Sequence, residues 1–304
     1  MISRPISRPI SRSISRAIAG SANADAGFLS LDFVSNTYNS SGVKKQFGEL
    51  IEFRRPSGGG IWNAQGNFEW LGTDVPRFNY DSVSGKALGL LVEPQSTNLV
   101  SGYTVSAGFE ETANPRIAGA AWKLTSKPSS GAYSVRPRAP MPPVNPDYAV
   151  STFAWLASGA PVVSGTNVQV DASFTLIING GSGTENGSKD LGRGLYRLST
   201  ARNISAGQVA THGLYRYPRQ DGELFSSVGL QIEAPQLTSY IPTTTAQVTR
   251  AADNVFIPNG TWRSPNGRLE VDADEGVAVT LETGGIRIAG LGHIRSLKFY
   301  PEAA

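Results

Sequence analysis

The chain has no cysteine, which excludes a disulfide framework and any thiolate-bound zinc. Histidine is nearly as scarce: His212 and His293 are the only two in 304 residues. Neither sits in a metal-ligand spacing, and no Gly-x-Ser-x-Gly nucleophile elbow accompanies them. Charged residues make up only 17%. No apolar run approaches the roughly 18 residues that a membrane-spanning helix needs, so no membrane insertion is expected. The arginines near the start lack the apolar stretch of about 7–15 residues that follows them in a secretory leader. What the chain does have is glycine and proline, 34 and 19, with a hydrophobic fraction of 39%. That mixture fits a turn-rich all-β protein, long enough to bury a core.

Basic charge is concentrated at one end. Residues 1–20 hold Arg4, Arg8, Arg12 and Arg16 and no acid; without those four, the 27 basic residues fall one short of the 24 acidic ones. The remainder is therefore near neutral and shows no footprint for nucleic acid. Residues 2–17 repeat Ile-Ser-Arg-Pro with Ser and then Ala replacing the last proline. Pro5 and Pro9 exclude a helix there, and an extended arm would reach up to about 60 Å at roughly 3.1 Å per residue. A disordered basic leader is one reading. The regular spacing favours a docking arm, with Ile2, Ile6, Ile10 and Ile14 as anchors and Arg4, Arg8, Arg12 and Arg16 meeting acidic neighbours. Ser21–Gly27 would be its hinge.

Beyond the arm, short strand patterns alternate with turns. Phe28–Tyr38, Val43–Phe53, a hairpin Trp62–Trp70 around Asn63-Ala-Gln-Gly66, Pro76–Tyr80 and residues 88–92 come first. From Leu99 eight candidate strands follow: Tyr103–Val105, Ala120–Leu124, Tyr133–Val135, Tyr148–Leu156, Val168–Ile178, Gly194–Ala201, Val209–Tyr217 and Phe225–Ile232. Eight strands at that spacing fit a jelly roll. Arg138–Pro146 reads as a polyproline-like loop and Asn179–Ser188 as a Gly/Asn/Ser turn. Val255–Ile257, Gly267–Val271, Val277–Glu282, Gly285–Ala289 and Ile294–Tyr300 complete the set. The expected organisation is an arm and hinge at 1–27, an outer module formed by 28–98 with 246–304, and a jelly-roll module inserted at 99–245.

Two stretches organise this plan. In Ser227–Asp253, Val228, Leu230 and Ile232 alternate with Gly229, Gln231 and Glu233, the period of a strand with one buried face. Pro235 ends it. Leu88–Leu99 is an apolar strand that closes on Glu93, Pro94 and a Thr/Asn turn. The words GLLVEPQSTNL at 89–99, Gln231-Ile-Glu, Thr238-Ser-Tyr-Ile-Pro-Thr and Val248-Thr-Arg-Ala-Ala-Asp253 resemble a paired signature of bacteriophage tail, fibre and head-decoration proteins. Leu31-Asp-Phe33, Pro76-Arg-Phe-Asn-Tyr80 and Ile294–Pro301 are similar to further words of that family, so the likeness runs from about 28 to 301. It implies lectin-like, concanavalin-type or carbohydrate-binding β-sandwich modules, and a virion role after synthesis in the host cytoplasm. Expected partners are other virion proteins (capsid, portal or adaptor, or tail) through the arm, with host surface glycan a further one. Family members commonly form trimers, so a homo-oligomer, most simply a trimer, is expected. Ile294–Tyr300, close to the end of the chain, is its expected edge strand.

Catalytic equipment is thin, and no cofactor or metal is expected. Glu93 with Glu233, or Asp171 with Glu185 or Asp190, are the carboxylate pairs a glycosidase would require. Asn179, Glu185, Asn186 and Asp190 are oxygen donors without the spacing of a calcium loop. Glu93 and Glu233 read instead as structural, bonded to backbone or to Arg77 and Arg250. Asn98, Arg250 and Asp253 join them. Of five tryptophans, Trp122 and Trp155 read as core. Tyr215, Arg216, Tyr217 and Arg219 form the aromatic and basic segment best suited to stack on and hydrogen-bond a sugar. A carbohydrate-active enzyme or free lectin is the alternative to a virion structural protein.

Overall fold

The computed structural model describes residues 28–105, 108–124, 133–137, 147–156, 159, 175–178, 181–182, 185–203, 212–216, 225–243, 245–259 and 267–301. The repeat arm, the Arg138–Pro146 loop, Asp171, Asn179, Tyr217, Arg219 and Trp262 lie outside them. The fold is an all-β antiparallel sandwich. One helical turn, Phe47–Leu50, interrupts it; Gln46 and Glu49 bracket that turn in a capping box.

The first core is assembled from both ends of the chain. Leu29 and Leu31 are fully buried while Ser30 and Asp32 alternate outward, as a pleated strand requires. Leu29–Asp32 pairs on one side with Thr37–Ser40 and on the other with Gly292–Pro301. The Asp32 carboxylate tightens the intervening turn by accepting from the amides of Val34 and Ser35, each at 2.9 Å. Ala87–Val92 and Phe78–Tyr80 extend the same sheet, and Gly267–Ala273 lies on the far side of Gly292–Pro301. A second sheet runs in the order Val277–Glu282, Gly285–Gly290, Asn254–Pro258, Glu52–Arg54. Leu31, Phe33, Leu90, Val92, Val255, Ile257, Ile286, Ile288, Ile294, Leu297 and Phe299 form one buried cluster between the sheets. Ile294–Tyr300 is therefore not an edge: it lies inside Gly292–Pro301, which has neighbours on both sides. Ile294, Leu297 and Phe299, brought to one face by an irregularity between Ile294 and Ser296, serve the middle of the core.

Strands from Tyr103 to Glu233 pair with one another. One sheet runs Phe109–Asn114, Ile117–Leu124, Phe225–Glu233, Asp147–Leu156, Tyr196–Asn203, Glu185–Asp190; another runs Tyr103–Val105, Tyr133–Pro137, His212–Arg216, Thr175–Ile178, Gly181–Ser182. Asn179–Ser188 is thus not simply a turn. Glu185–Ser188 belongs to Glu185–Asp190, an edge strand whose residues Gly187–Asp190 are exposed. Such polar edges carry no apolar alternation, and Phe109–Asn114 was missed in sequence for the same reason.

Phe225–Glu233 departs from its expected one-sided burial. Val228, Leu230 and Ile232 are buried, but so are Ser226, Ser227, Gln231 and Glu233. The strand is central, between Ile117–Leu124 and Asp147–Leu156, and its polar face meets protein rather than water. A bulge at Gly229, where φ is +68°, shifts the register against Asp147–Leu156 between Ser151 and Phe153.

Candidate functional site

Where the chain leaves the first pair of sheets and where it returns, three short segments run together. Ser96–Asn98 pairs with Val248–Arg250, and the Leu99 amide donates to the Ile232 carbonyl at 2.9 Å. The chain after Glu233 folds back over this junction. There the side chains of Arg55, Arg77 and Arg250 are fully buried together with Glu93 and Asp253.

Such burial is tolerable only if the charges are paired and their remaining hydrogen-bonding groups filled. Arg77 lies between both acids. Its guanidinium donates to Glu93 Oε2 at 2.6 Å, to Asp253 Oδ1 at 3.3 Å and to Asp253 Oδ2. Arg55 donates to Asp253 Oδ1 at 3.0 Å and spends its other N–H groups on the carbonyls of Ser57, Gly72 and Val75. Arg250 reaches Glu93 at 3.5 Å and donates to the Pro94 carbonyl at 2.7 Å. Its buried Nε lacks a hydrogen-bond partner among the described residues. Asp253 Oδ2 also accepts from the Glu93 amide, and the Glu93 carbonyl accepts from the Asp253 amide. Ser239 caps Glu93 with its amide at 2.7 Å and its hydroxyl at 2.6 Å. Burial would raise the Glu93 carboxyl, but Arg77, Arg250 and Ser239 more than offset it and hold it at about 2.

Glu233 continues the network through neutral donors. It accepts from Ser96 Oγ, Gln231 Nε2, Thr238 Oγ1 and the Thr238 amide. Asn98 acts as a surrogate peptide: its Nδ2 donates to the Ile241 carbonyl at 2.9 Å, and its Oδ1 accepts from the amides of Val100 and Ile232. Arg197, whose guanidinium burial pulls down, donates to Ser151 Oγ and the Thr238 carbonyl. Beside it, Trp62, Phe68, Phe153 and Tyr240 pack ring to ring at 5.3–6.2 Å. Arg116 closes the far side of that cluster, donating to the carbonyls of Gly66, Leu191 and Gly192.

The five structural residues singled out in sequence, Glu93, Asn98, Glu233, Arg250 and Asp253, thus occupy one continuous buried network. Sequence reasoning missed Arg55, Arg116 and Arg197, whose role depends on carbonyls that only the fold brings near. Thr238 and Ser239, quoted above without a role of their own, cap Glu233 and Glu93. Tyr215 and Arg216 lie in His212–Arg216, paired to Thr175–Ile178 and Tyr133–Pro137. Trp122 and Trp155 are half-buried, Trp155 packing against the cluster of Phe153, Val228 and Tyr240, and Trp70 is 37% exposed.

His293 has a setting of its own. Its Nδ1 lies 2.9 Å from Asp274 Oδ2 and its Nε2 2.9 Å from Asn79 Nδ2. Asn79 Oδ1 accepts from the Trp62 amide, so its NH₂ group faces His293, and Nε2 must accept. Hydrogen bonds from His293 and Arg295, against a smaller burial effect, hold the Asp274 carboxyl below the usual range. An aspartate–histidine pair whose second nitrogen takes an amide lacks the nucleophile of a triad. Asp190 likewise serves its own turn, accepting from the Gly192 amide. Among the described residues no three His, Asp or Glu side chains converge as a metal site would.

No family model and no curated protein sequence matches this chain.

Proposed function

We propose that the chain is a structural protein of a bacteriophage particle, attached through the repeat arm of residues 2–17, with the β-sandwich as its body. The observation that carries this reading is where the phage-like words fall. Glu93 and Asn98 come from the first word; Gln231, Glu233, Thr238, Ser239, Arg250 and Asp253 come from the second set. All meet in the buried network that locks the junction. The resemblance therefore rests on residues that hold a scaffold, as a structural role requires. Glu93 and Glu233, 4% and 0% exposed, have their carboxylate oxygens committed to protein donors, which supports that role over a glycosidase acid and base.

Deleting residues 1–20 from a chain expressed with its particle tests the reading. The expected result is a folded body missing from purified particles; incorporation at the normal copy number removes the docking role. Host glycan contact at Tyr215, Arg216, Tyr217 and Arg219 is the accessory part of the proposal. It is checked by comparing glycan binding of the full chain with Y215A and Y217A.

A further inference from the structure

Sheet edges with unpaired backbone groups invite another strand, and proteins blunt them with charge, proline or brevity. Most outer strands here are blunted in that way. Val43–Lys45 carries two lysines, Glu52–Arg54 and Phe78–Tyr80 are three residues long, and Gly267–Ala273 alternates Arg268, Glu270 and Asp272. Phe109–Asn114 has two adjacent glutamates, and Glu185–Asp190 is charged at both ends. Val277–Glu282 is different. It is the outer strand of its sheet, six residues long and uncharged until Glu282, with Val, Ala, Val, Thr and Leu in succession.

The free backbone groups of this strand can be assigned. In an antiparallel ladder, hydrogen-bonded and non-bonded pairs alternate. The Leu291 amide donates to the Gly276 carbonyl at 2.8 Å, while the Val277 amide turns to Asp274. With the register Val277↔Gly290 through Glu282↔Gly285, the backbone groups of Ala278, Thr280 and Glu282 face Gly285–Gly290. Those of Val279 and Leu281 point outward, where no strand among the described residues pairs with them. Val277 and Val279 pack on the core cluster. Leu281, on that same side by alternation, is 41% exposed.

We propose that this edge pairs with the same edge of a second copy of the chain across a two-fold axis, with Thr280 opposite Thr280. That register alone sets Val279 opposite Leu281 of the second copy and the reverse, so the outward amides and carbonyls of both residues satisfy one another. It also lays each exposed Leu281 against Val279 of the other copy. Charge is compatible. Glu282 meets Ala278, and each copy brings one Glu282 to that face with its own Arg287, 2.9 Å away. Antiparallel pairing of identical strands is self-complementary and closes at two chains. The contact is small beside the roughly 1,200–2,000 Å² of a stable complex, so the pairing is weak in dilute solution and strengthens where other attachments hold copies close together. It stands independently of the virion reading.

The absence of native cysteine gives a specific test. In the proposed register T280C places the new sulfurs on a non-hydrogen-bonded pair, with Cα atoms about 4.5 Å apart, inside the disulfide range. A278C, also at an exposed position, lies four residues out of register with its own copy, about 13 Å away at roughly 3.3 Å per residue. Full-length chains carrying either change are oxidised mildly at micromolar concentration after their melting is matched to the parent. A covalent dimer from T280C and none from A278C is the expected result. No cross-link from T280C, or equal cross-linking from both, overturns the proposal.

Discussion

At the scale of single residues, the molecule is defined by charges placed where charge is expensive. Arg55, Arg77 and Arg250 are each 0% exposed, and between them they hold Glu93 and Asp253. Removing one member of such a set strands the others, at about 3–5 kcal/mol. Glu93→Gln should therefore lower unfolding stability by that amount in urea, well beyond the effect of an exposed ion pair. Acid should do the same to the parent protein. The Glu93 carboxyl is depressed from 4.5 to about 2, so its contribution is complete above about pH 4.5 and is lost as pH falls through about 2. A denaturation series over that window should show a weaker pH slope in Glu93→Gln than in the parent; equal slopes would mean that folding does not shift the Glu93 carboxyl. Glu93, Asn98, Glu233, Arg250 and Asp253 were legible in sequence because acids, amides and arginines stood at strand ends where partners are near. Arg116 was not, since its partners are carbonyls of Gly66, Leu191 and Gly192, and carbonyls leave no trace in side-chain identity.

At the scale of elements, apolar alternation found Tyr103–Val105, Val277–Glu282 and about ten other strands within a residue or two, while Phe28–Tyr38 is split by a turn and Val43–Phe53 by the helical turn Phe47–Leu50. It failed where strands are polar on both faces, as in Glu185–Asp190, and misjudged Phe225–Glu233, whose Gln231 and Glu233 look solvent-facing yet point into protein. Period-2 patterns report chemical contrast between faces and cannot say whether the polar face meets water or a buried network. Gly229 marks the place. Its φ of +68° belongs to the left-handed region, and an added Cβ would lie 2.7 Å from the Tyr240 ring and 3.0 Å from Phe153. Gly229→Ala should combine backbone strain with overpacking and cost about 2–4 kcal/mol. Thermal melting checks this, and a loss under 1 kcal/mol would show that the bulge relaxes without cost.

At the scale of the whole molecule, Gly292–Pro301 lies between Leu29–Asp32 and Gly267–Ala273, and it also pairs with Ala87–Val92. The first sheet therefore has no interior until the last ten described residues are in place. Removing residues 292–304 should leave a chain that binds hydrophobic dyes and is cleaved rapidly by protease; a protease-resistant body would refute the central role of this strand. During synthesis the same placement sets a timetable. The nascent chain emits Leu29, Leu31 and Leu90 long before the strand that covers them clears the ribosome. Those leucines must wait, exposed, for the span between, and loop closure over such a distance is slow. Folding of the first sheet thus waits for Gly292–Pro301 to emerge, and the apolar surface shown until then is the kind that invites aggregation.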